Sequence, residues 1–510
     1  MLEKWDTIVV GAGVGGLTAA AHLVKAGLRV LVLERNPHPG GTAYVYHIKG
    51  FTFPMGPLGY SEPGLVKDSL MDLRVGDAIR FSRVHYRIRA FGLDIPLSLP
   101  FPEMVKELGG LFPTDAQGVE QFFRSIEEMI LKPNQRSGIS ASEYLRGLIK
   151  DWRVRRILGS IGTREPYSGI PLLAAMWNLM CKDGIWYPIE GMQSFCERLV
   201  KAVNRNFNHR QNGDPKRENG GMGEIRLNKE VVEIRVENGR VLGVTLKDDT
   251  QIDSDSVISN ADYKNTFVRL MGPEMVPREW YEAVSTAKQT GSILQVCLGI
   301  NARKVNLSAF KEASRIIYRR DPKDTREETL HWDAVEIDPG ALASQELEVS
   351  LWGGDEKITS PGEKAVVVIR VEAEHRHFAR YRSVSTRRIP EYQEYKIRLG
   401  QALIHEIESL IPGLEKSILV MDIATPLTFE DQGGRSEGAV AGWSWDYEDF
   451  RNDKPKELIR TPIKGLYMVG YQAFSALFMG GVPTAMESGR RAAQAILDGA
   501  GPITIQTDHL

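Results

Sequence analysis

Three glycines near the start of the chain, Gly11, Gly13 and Gly16, have the spacing of a turn that receives a phosphate group. They follow a short apolar run at Thr7–Val10 and begin an apolar helical stretch. A second apolar run comes next and leads to Glu34. In such a unit the first glycine allows a tight turn, the second lets the backbone approach a pyrophosphate, and the third permits close helix–strand packing. The acid accepts a hydrogen bond from a ribose hydroxyl, so the pattern predicts a bound dinucleotide.

The overall composition indicates how many domains to expect and which kinds of molecule the protein can bind. The chain has 510 residues, of which 25% are charged and 42% hydrophobic, with a formal net charge of -2. At roughly 100–200 residues per domain, this length predicts two or three domains. Nucleic-acid binding requires a basic surface, so the charge argues against a nucleic-acid partner.

The number of cysteines and the length of the apolar runs indicate where in the cell to expect the protein. Cys181, Cys196 and Cys297 are too few and too scattered for a disulfide framework or a metal site, which predicts buried, reduced thiols. The sequence shows no secretory signal and no run of about 18 apolar residues. We therefore expect a cytoplasmic protein, and peripheral contact with the inner face of a membrane stays open.

Alternating helix and strand patterns occur in three separated segments, at about 1–60, 187–270 and 425–500. We expect these to assemble one discontinuous α/β, Rossmann-like domain. The intervening segments, 61–186 and 271–424, would form a second domain with a mixed sheet plus helices.

Finer patterns predict individual elements of these domains. The strands expected at 224–227, 230–237, 241–247 and 256–259 read as an antiparallel meander, and residues 65–180 read as mainly helical. Asn204–Gly220 is polar and rich in turn formers, which predicts an exposed loop.

A second glycine motif follows the acid and indicates which dinucleotide binds. Glu34 is followed by Arg35, then by Gly40–Thr42 and by the glycine-flanked strand Gly50–Pro57. This extended pattern resembles the flavoprotein superfamily that includes amine oxidases and carotenoid desaturases. The resemblance implies that FAD is the cofactor and that the double glycine continues the pyrophosphate cradle.

The C-terminal segment Lys464–Leu497 resembles the closing flavin motif of the same superfamily. A strand ends at Gly470 and a helix starts near Gly481–Pro483, so the helix amides would face the flavin. Trp186–Met192 and Val257–Ala261 resemble elements of the phytoene desaturase, carotenoid isomerase and retinol saturase branch.

The resemblance implies a set of residues around FAD. It assigns no catalytic residue and no metal ligand. The implied cofactor contacts are Gly11, Gly13, Val14, Gly15, Gly16, Glu34, Arg35, Gly40, Gly41, Thr42, Met55, Gly56, Pro57, Val231, Asn260, Ala261, Gly470, Tyr471, Gly481, Val482 and Pro483.

The function implied is FAD-dependent desaturation or saturation of carbon–carbon bonds in a hydrophobic substrate such as a polyene or isoprenoid. Hydride would move between a substrate carbon and the flavin, with an electron partner that the sequence does not identify. A flavin-dependent double-bond isomerase and an amine oxidase are alternatives. A binding protein for prenylated partners, on the scaffold of the Rab GDP-dissociation inhibitors, is the alternative without an enzyme activity.

Two positions depart from the family pattern, and both are expected near the cofactor. Pro54 and Tyr471 stand where many relatives have an acidic residue. Several aromatic and apolar residues are candidates for the substrate side. They are Phe474, Leu477, Phe478, Met479, Tyr167, Trp177 and Trp186.

Two further clusters have less specific interpretations. His375 and His377 alternate on an expected strand end, and no further ligand spacing indicates a metal. Arg153, Arg155 and Arg156 form a basic cluster that we interpret as a solvated helix face, with anionic lipid as an alternative contact.

Deleting most of Asn204–Gly220 should leave FAD binding nearly unchanged, because exposed loops tolerate changes of length. The flavin content and melting temperature of the shortened protein, compared with the full chain, test this. Loss of the fold or of the cofactor would show that the segment is packed.

Overall fold

The computed structural model describes residues 3–77, 79–131, 140–160, 169–205, 221–320, 335–353, 362–382, 389–443, 457–474 and 481–503. The strands are β1 (Lys4–Val10), β2 (Arg29–Leu33), β3 (Val45–Ile48), β4 (Phe51–Pro54), β5 (Phe81–Val84), β6 (Tyr86–Ala90), β7 (Leu93–Pro96), β8 (Ile185–Pro188), β9 (Met222–Arg226), β10 (Val231–Glu237), β11 (Arg240–Leu246), β12 (Gln251–Ser259), β13 (Ser292–Asn301), β14 (Arg315–Tyr318), β15 (Leu347–Trp352), β16 (Lys364–Ala373), β17 (Ile418–Ala424) and β18 (Leu466–Met468).

The helices are numbered in chain order in the same way as the strands. They are α1 (Val14–Lys25), α2 (Pro63–Asp72), α3 (Phe101–Leu111), α4 (Ala116–Leu131), α5 (Ala141–Leu148), α6 (Trp152–Ser160), α7 (Ile170–Asn178), α8 (Gly191–Val203), α9 (Arg278–Thr286), α10 (Pro339–Ala343), α11 (Arg376–Ala379), α12 (Pro390–Ile407), α13 (Leu414–Ser417), α14 (Pro426–Gly433) and α15 (Gly481–Leu497). Most of the expected loop Asn204–Gly220 lies outside the described residues.

The first sheet has the order β10-β11-β12-β1-β2-β9, with β18 also pairing β12. Strands β18, β12, β1, β2 and β9 run parallel to one another, while β11 pairs antiparallel with both β12 and β10. The end of β1, from Thr7 to Val10, is buried on both faces, as expected for a strand inside a parallel sheet. The predicted α/β class and Rossmann-like sheet are confirmed, while the division into domains stays a prediction.

The predicted four-strand meander is wrong for its first strand. Strand β9 pairs parallel with β2 at the opposite edge from β10. It follows helix α8, so it closes a helical crossover and extends the parallel part of the sheet. Alternation of polar and apolar residues indicates a half-buried strand but does not identify its partner.

The second sheet has the order β17-β13-β16-β15-β14-β6-β7. Its strands pair antiparallel except for β14 with β6. Apolar side chains of α12, such as Leu399 and Leu403, join one core cluster with Val296 and Ile369 of this sheet. The opposite face carries Cys297 and Val368, which pack with Phe51 and Phe53 of β4.

The prediction that residues 65–180 are mainly helical is wrong for the part between 81 and 96. Strand β5 pairs with β8 of the distant 185–188 segment, while β6 and β7 extend the second sheet. These strands are only 4 or 5 residues long, so tertiary pairing rather than a long pattern specifies them.

Helices α1 and α15 approach each other closely through small residues. A Cβ atom at Gly489 would lie 2.5 Å from the Gly15 carbonyl oxygen and 2.9 Å from the Ala19 nitrogen. Backbone atoms cannot rotate away as a side chain can, so this contact requires glycine. Helix α15, the last helix listed above, is thereby packed against helix α1, the first one.

Replacing Gly489 with Ala should lower the free energy of unfolding by about 1–3 kcal/mol, because the added methyl group overpacks the α1–α15 contact. Gly147→Ala is the matched control, since a Cβ there would meet nothing within 4 Å. Urea unfolding of both variants measures the difference. Equal stability of the two would contradict the close approach.

Candidate cofactor-binding site

The glycine turn presents the positive end of α1. Gly11 has a φ of 96°, and its nitrogen donates to the Leu33 carbonyl oxygen at 2.8 Å. Gly13 caps α1 without a side-chain hydrogen bond, and the first turn contains no acidic residue. The amides of a first helical turn have no partner within the helix, and they carry a partial positive charge. An anion such as a pyrophosphate is the natural partner of this turn.

The ends of three parallel strands meet at this turn. A Cβ at Gly13 would lie 2.4 Å from the Asn260 side-chain nitrogen, and one at Gly15 would lie 2.9 Å from the Gly470 nitrogen. Asn260 directly follows β12, and its own nitrogen donates to Val10 of β1 at 2.9 Å. A crevice at the carboxyl ends of parallel strands is where such sheets bind their ligands.

Glu34 has a structural role that the sequence did not indicate. The carboxylate is only 5% exposed, and its Oε2 accepts from the Ala12 nitrogen at 2.8 Å. Its Oε1 accepts from the Asn36 nitrogen at 2.9 Å. Each carboxylate oxygen has a second acceptor site, so the group can hold the turn and still accept a ribose hydroxyl.

The second glycine motif lies directly against the first. Gly40 has a φ of 113°, and its nitrogen donates to the Ala12 carbonyl at 2.8 Å. A Cβ at Gly41 would lie 3.1 Å from the Gly13 Cα. The two motifs therefore form one continuous stretch of closely packed backbone with no room for side chains between them.

Arg435 is a site residue that sequence reasoning missed. Its Nη2 donates to Thr42 Oγ1 at 2.8 Å, and its Nη1 donates to the Val440 carbonyl at 2.5 Å. The guanidinium carbon lies 4.4 Å from the centre of the Tyr471 ring, a cation–π contact. Thr42 and Arg435 are 393 residues apart, and no motif marks the arginine.

Tyr471, one of the predicted cofactor contacts, has a buried phenol group. Burial raises the pKa of its phenol above the usual range, so the group stays protonated. Its buried hydroxyl has no hydrogen-bond partner among the described residues. A buried polar atom without a partner is rare, so this hydroxyl is suited to a polar group of a bound cofactor.

The remaining predicted contacts fall on the same region. Val482 and Pro483 are buried in the first turn of α15, and the Gly470 nitrogen donates to Ser488 Oγ of that helix at 2.9 Å. A Cβ at Gly56 would lie 2.7 Å from the Thr42 carbonyl oxygen, so Met55–Pro57 touches the second motif. Val231 begins β10, next to a turn in which the Lys229 nitrogen donates to the Glu34 carbonyl at 2.8 Å.

Three predicted contacts complete the set. Val14 is buried at the start of α1, and Ala261 directly follows Asn260. Arg35 lies nearby but points its Nη2 to the Asp431 carbonyl at 2.8 Å. The glycine cradle, the open helix end and the buried phenol all fit a dinucleotide such as FAD.

Several substrate-side candidates have other roles or lie outside the description. Trp177 is fully buried, packs against Phe122 and Phe123, and donates to the Leu158 carbonyl at 2.8 Å, so it is a core residue. Trp186 donates to the Asp183 carbonyl, and Phe474 is buried. Tyr167, Leu477, Phe478 and Met479 lie outside the described residues.

The histidine and arginine clusters are structural. His375 caps the short helix α11 rather than ending a strand, and its Nε2 lies 3.0 Å from Glu430 Oε2. His377 is buried in the same helix. In the ranges described, no group of three or more His, Cys, Asp and Glu side chains is arranged to hold a metal ion.

The basic cluster is not a solvated helix face. Arg153 pairs with Asp151 at 2.7 Å, Arg155 donates to the Lys150 carbonyl, and Arg156 pairs with buried Glu346 at 3.0 Å. These contacts tie α6 to its surroundings. No helix in the part of the chain that the structure describes is long and apolar enough to cross a lipid bilayer.

Comparison with protein families and curated proteins agrees with the geometry. Residues 9–71 match the family model of an NAD(P)-binding Rossmann-like domain. The chain is 25% identical to a chloroplastic prolycopene isomerase of Daucus carota, over 92% of this chain and 77% of that protein. It is 23% identical to an inactive all-trans-retinol 13,14-reductase of Danio rerio, over 97% and 86%. It is 28% identical to a lycopene-forming phytoene desaturase of Pseudescherichia vulneris, over 58% and 63%.

Solved structures show the same fold at low identity. An oxidoreductase from Methanosarcina mazei is 18% identical, with a TM-score of 0.62 over 96% of this chain and 100% of that one. A putrescine oxidase variant is 17% identical, with a TM-score of 0.60 over 97% and 99%. The resemblance to carotenoid desaturases, carotenoid isomerases and retinol saturases is confirmed, and the solved structures show that the fold is shared.

Replacing Gly13 with Val should abolish FAD retention, because the side chain would fill the place of the pyrophosphate and displace Asn260. The FAD content after gel filtration measures the effect. Gly64→Val is the control, because a Cβ there would meet nothing within 4 Å. A full flavin complement in the Gly13 variant would show that the cofactor lies elsewhere.

Proposed function

We propose that this chain is a FAD-dependent oxidoreductase that desaturates or saturates carbon–carbon bonds of a hydrophobic polyene or isoprenoid. The observation that carries the proposal is the cradle of Gly11–Gly16 and Gly40–Thr42, which meets Asn260 and Gly470 at the ends of parallel strands. Its relatives support the substrate class, because they are named for lycopene, prolycopene and retinol.

The chain's own residues would bind and orient the cofactor. The α1 amides would hold the pyrophosphate, Glu34 a ribose hydroxyl, and the Tyr471 hydroxyl a polar group of the cofactor. The flavin ring supplies the hydride acceptor or donor when it is bound, so the protein needs few acids of its own. The segments 1–60, 187–270 and 425–500 would form the FAD domain, and 61–186 with 271–424 the substrate domain.

The face of the second sheet that meets β4 is the proposed boundary of the substrate space. Apolar residues of this face, including Val366, Val368 and Trp352, pack beside Phe51 and Leu58. An apolar wall suits a hydrocarbon, whose recognition depends on burial rather than on hydrogen bonds. Such a substrate dissolves in lipid, so we propose a cytoplasmic protein that contacts the inner face of a membrane. The electron donor or acceptor is a separate molecule.

The isomerase alternative is favoured over desaturation by one observation. A prolycopene isomerase aligns with 92% of this chain and the phytoene desaturase with 58%, while the retinol reductase, which relates to saturation, aligns with 97%. An isomerase would use the same cradle and the same substrate class without net electron transfer. Amine oxidation and binding of a prenylated partner are further alternatives on this fold.

The purified protein should be yellow and show flavin absorbance. Colourless protein that does not take up added FAD would contradict the enzyme proposal and favour a binding protein. Gly13→Val is the matched negative control.

Anaerobic mixing of the flavin-loaded protein with an acyclic polyene in liposomes distinguishes the reactions. Bleaching of the flavin with a dehydrogenated product would indicate desaturation, and oxidation of reduced flavin with a hydrogenated product would indicate saturation. A geometric isomer of unchanged mass, formed with reduced flavin, would indicate isomerisation. Bleaching by amines alone would indicate an amine oxidase.

A further inference from the structure

Three polar side chains of the second sheet hold three carbonyl groups of the segment Pro54–Leu58. Gln295 Nε2 donates to the Pro54 carbonyl at 3.0 Å, Arg370 Nη2 to the Gly56 carbonyl, and Arg315 Nη2 to the Leu58 carbonyl. Residues 55, 56 and 58 are bends, so the segment follows an irregular path after β4. The three donors hold its carbonyl groups at every second residue from Pro54 to Leu58.

The donors come from three different strands but share one face of the sheet. Gln295 of β13 is the register partner of Arg370 of β16, and Arg370 is the partner of Glu348 of β15. Ser350, two residues after Glu348, is the partner of Arg315 of β14. Since residues two apart in a strand point to the same face, the alignment requires the whole sheet to form.

The same segment touches the glycine cradle on its other side. The close contact of Gly56 with the Thr42 carbonyl, described above, leaves no room for a side chain between them. A continuous path therefore runs from Arg370, through Gly56 and Thr42, to Gly41 and Gly13. Met55–Pro57 is also a segment that the sequence predicts to contact FAD.

The anchoring side chains place positive charge directly against the segment. Arg315 is 4% exposed, Arg370 is partly buried, and burial lowers the pKa of the Arg370 guanidinium. Among the described residues, the carboxylate that faces both guanidinium groups is Glu348, whose Oε1 lies 3.5 Å from Arg315 Nη1. Arg315 Nε has no hydrogen-bond partner there. The guanidinium groups of Arg370 and Arg315 donate directly to the segment, so the charge nearest to it is positive, although Glu348, Glu372 and Asp422 lie on the same face of the sheet.

We propose that Arg370 and Arg315 are positioning residues that fix Met55–Pro57 against the flavin, and that the positive charge they place directly on this segment raises the flavin reduction potential. The proposal rests on the proposed function for the presence of FAD. A fixed positive charge favours the electron-rich reduced flavin, which makes the bound cofactor a stronger oxidant. This assigns the second sheet a role in tuning the cofactor as well as in bounding the substrate space.

The test compares Arg370→Met, Arg370→Lys and a control, Arg198→Met, in the full-length protein. Arg198 is a suitable control because it also donates to backbone carbonyls, those of Val75 and Asp77, but in another segment. The readouts are the FAD dissociation constant, the midpoint potential of bound FAD, and hydrogen exchange of amides 55–60.

In Arg370→Met we expect the FAD dissociation constant to rise about tenfold, the effect of losing about 1.4 kcal/mol of binding free energy. We also expect a lower midpoint potential and faster exchange of amides 55–60. Arg370→Lys keeps the charge but loses the fork geometry, so its potential should stay near that of the unmodified protein while exchange rises. Arg198→Met should change none of the three.

Each contrary outcome overturns a stated part of the proposal. A normal potential in folded Arg370→Met would refute the electrostatic role, and unchanged exchange at 55–60 would refute the positioning role. If Arg370→Met does not fold, a lowered potential in Arg370→Lys would refute the role of charge. If the unmodified protein binds no FAD, the proposed function and the flavin part of this inference both fail, and the exchange comparison still decides the anchoring.

Discussion

Close contact of backbone with backbone at one glycine turn is the constraint on which the rest of this structure depends. Gly13 and Gly15 leave room there for Asn260 and Gly470, and Gly41 lies against Gly13. These residues come from four separate parts of the chain, so the turn forms only when the parallel sheet is complete. A surface of bare amides at the positive end of a helix follows directly from that packing.

A second set of constraints acts from the other sheet. Arg315 and Arg370 of that sheet donate to backbone carbonyls of Pro54–Leu58. These hydrogen bonds link the sheet that bounds the proposed substrate space to the segment that is predicted to contact the cofactor. The same principle appears at Arg435, which joins Thr42 to the Tyr471 ring. Arginine side chains from distant parts of the chain therefore hold the backbone and side chains around the cradle.

The structure and the relatives indicate the cofactor more specifically than they indicate the reaction. The cradle geometry is specific for a dinucleotide but says little about the reaction, because one fold supports several chemistries. The relatives are named for polyenes and retinol, but their reactions differ: isomerisation, desaturation and, in an inactive member, reduction. What separates these reactions is the flavin redox state and substrate geometry, which is why electrostatics near Met55–Pro57 is central to the proposal.

The sequence by itself determined the class of the protein. Glycine spacing, Glu34 and the closing motif near Gly481–Pro483 depend on local backbone geometry, which short patterns record faithfully. Helix and strand positions in the first sheet were predictable for the same reason. Only the tertiary structure decided other features. These are the placement of β9 beside β2, the strands β5–β7, and the anchors Arg315, Arg370 and Arg435. Arg370 and Gly56, for example, are 314 residues apart, and a side chain's partner at that separation depends on packing that no local pattern encodes.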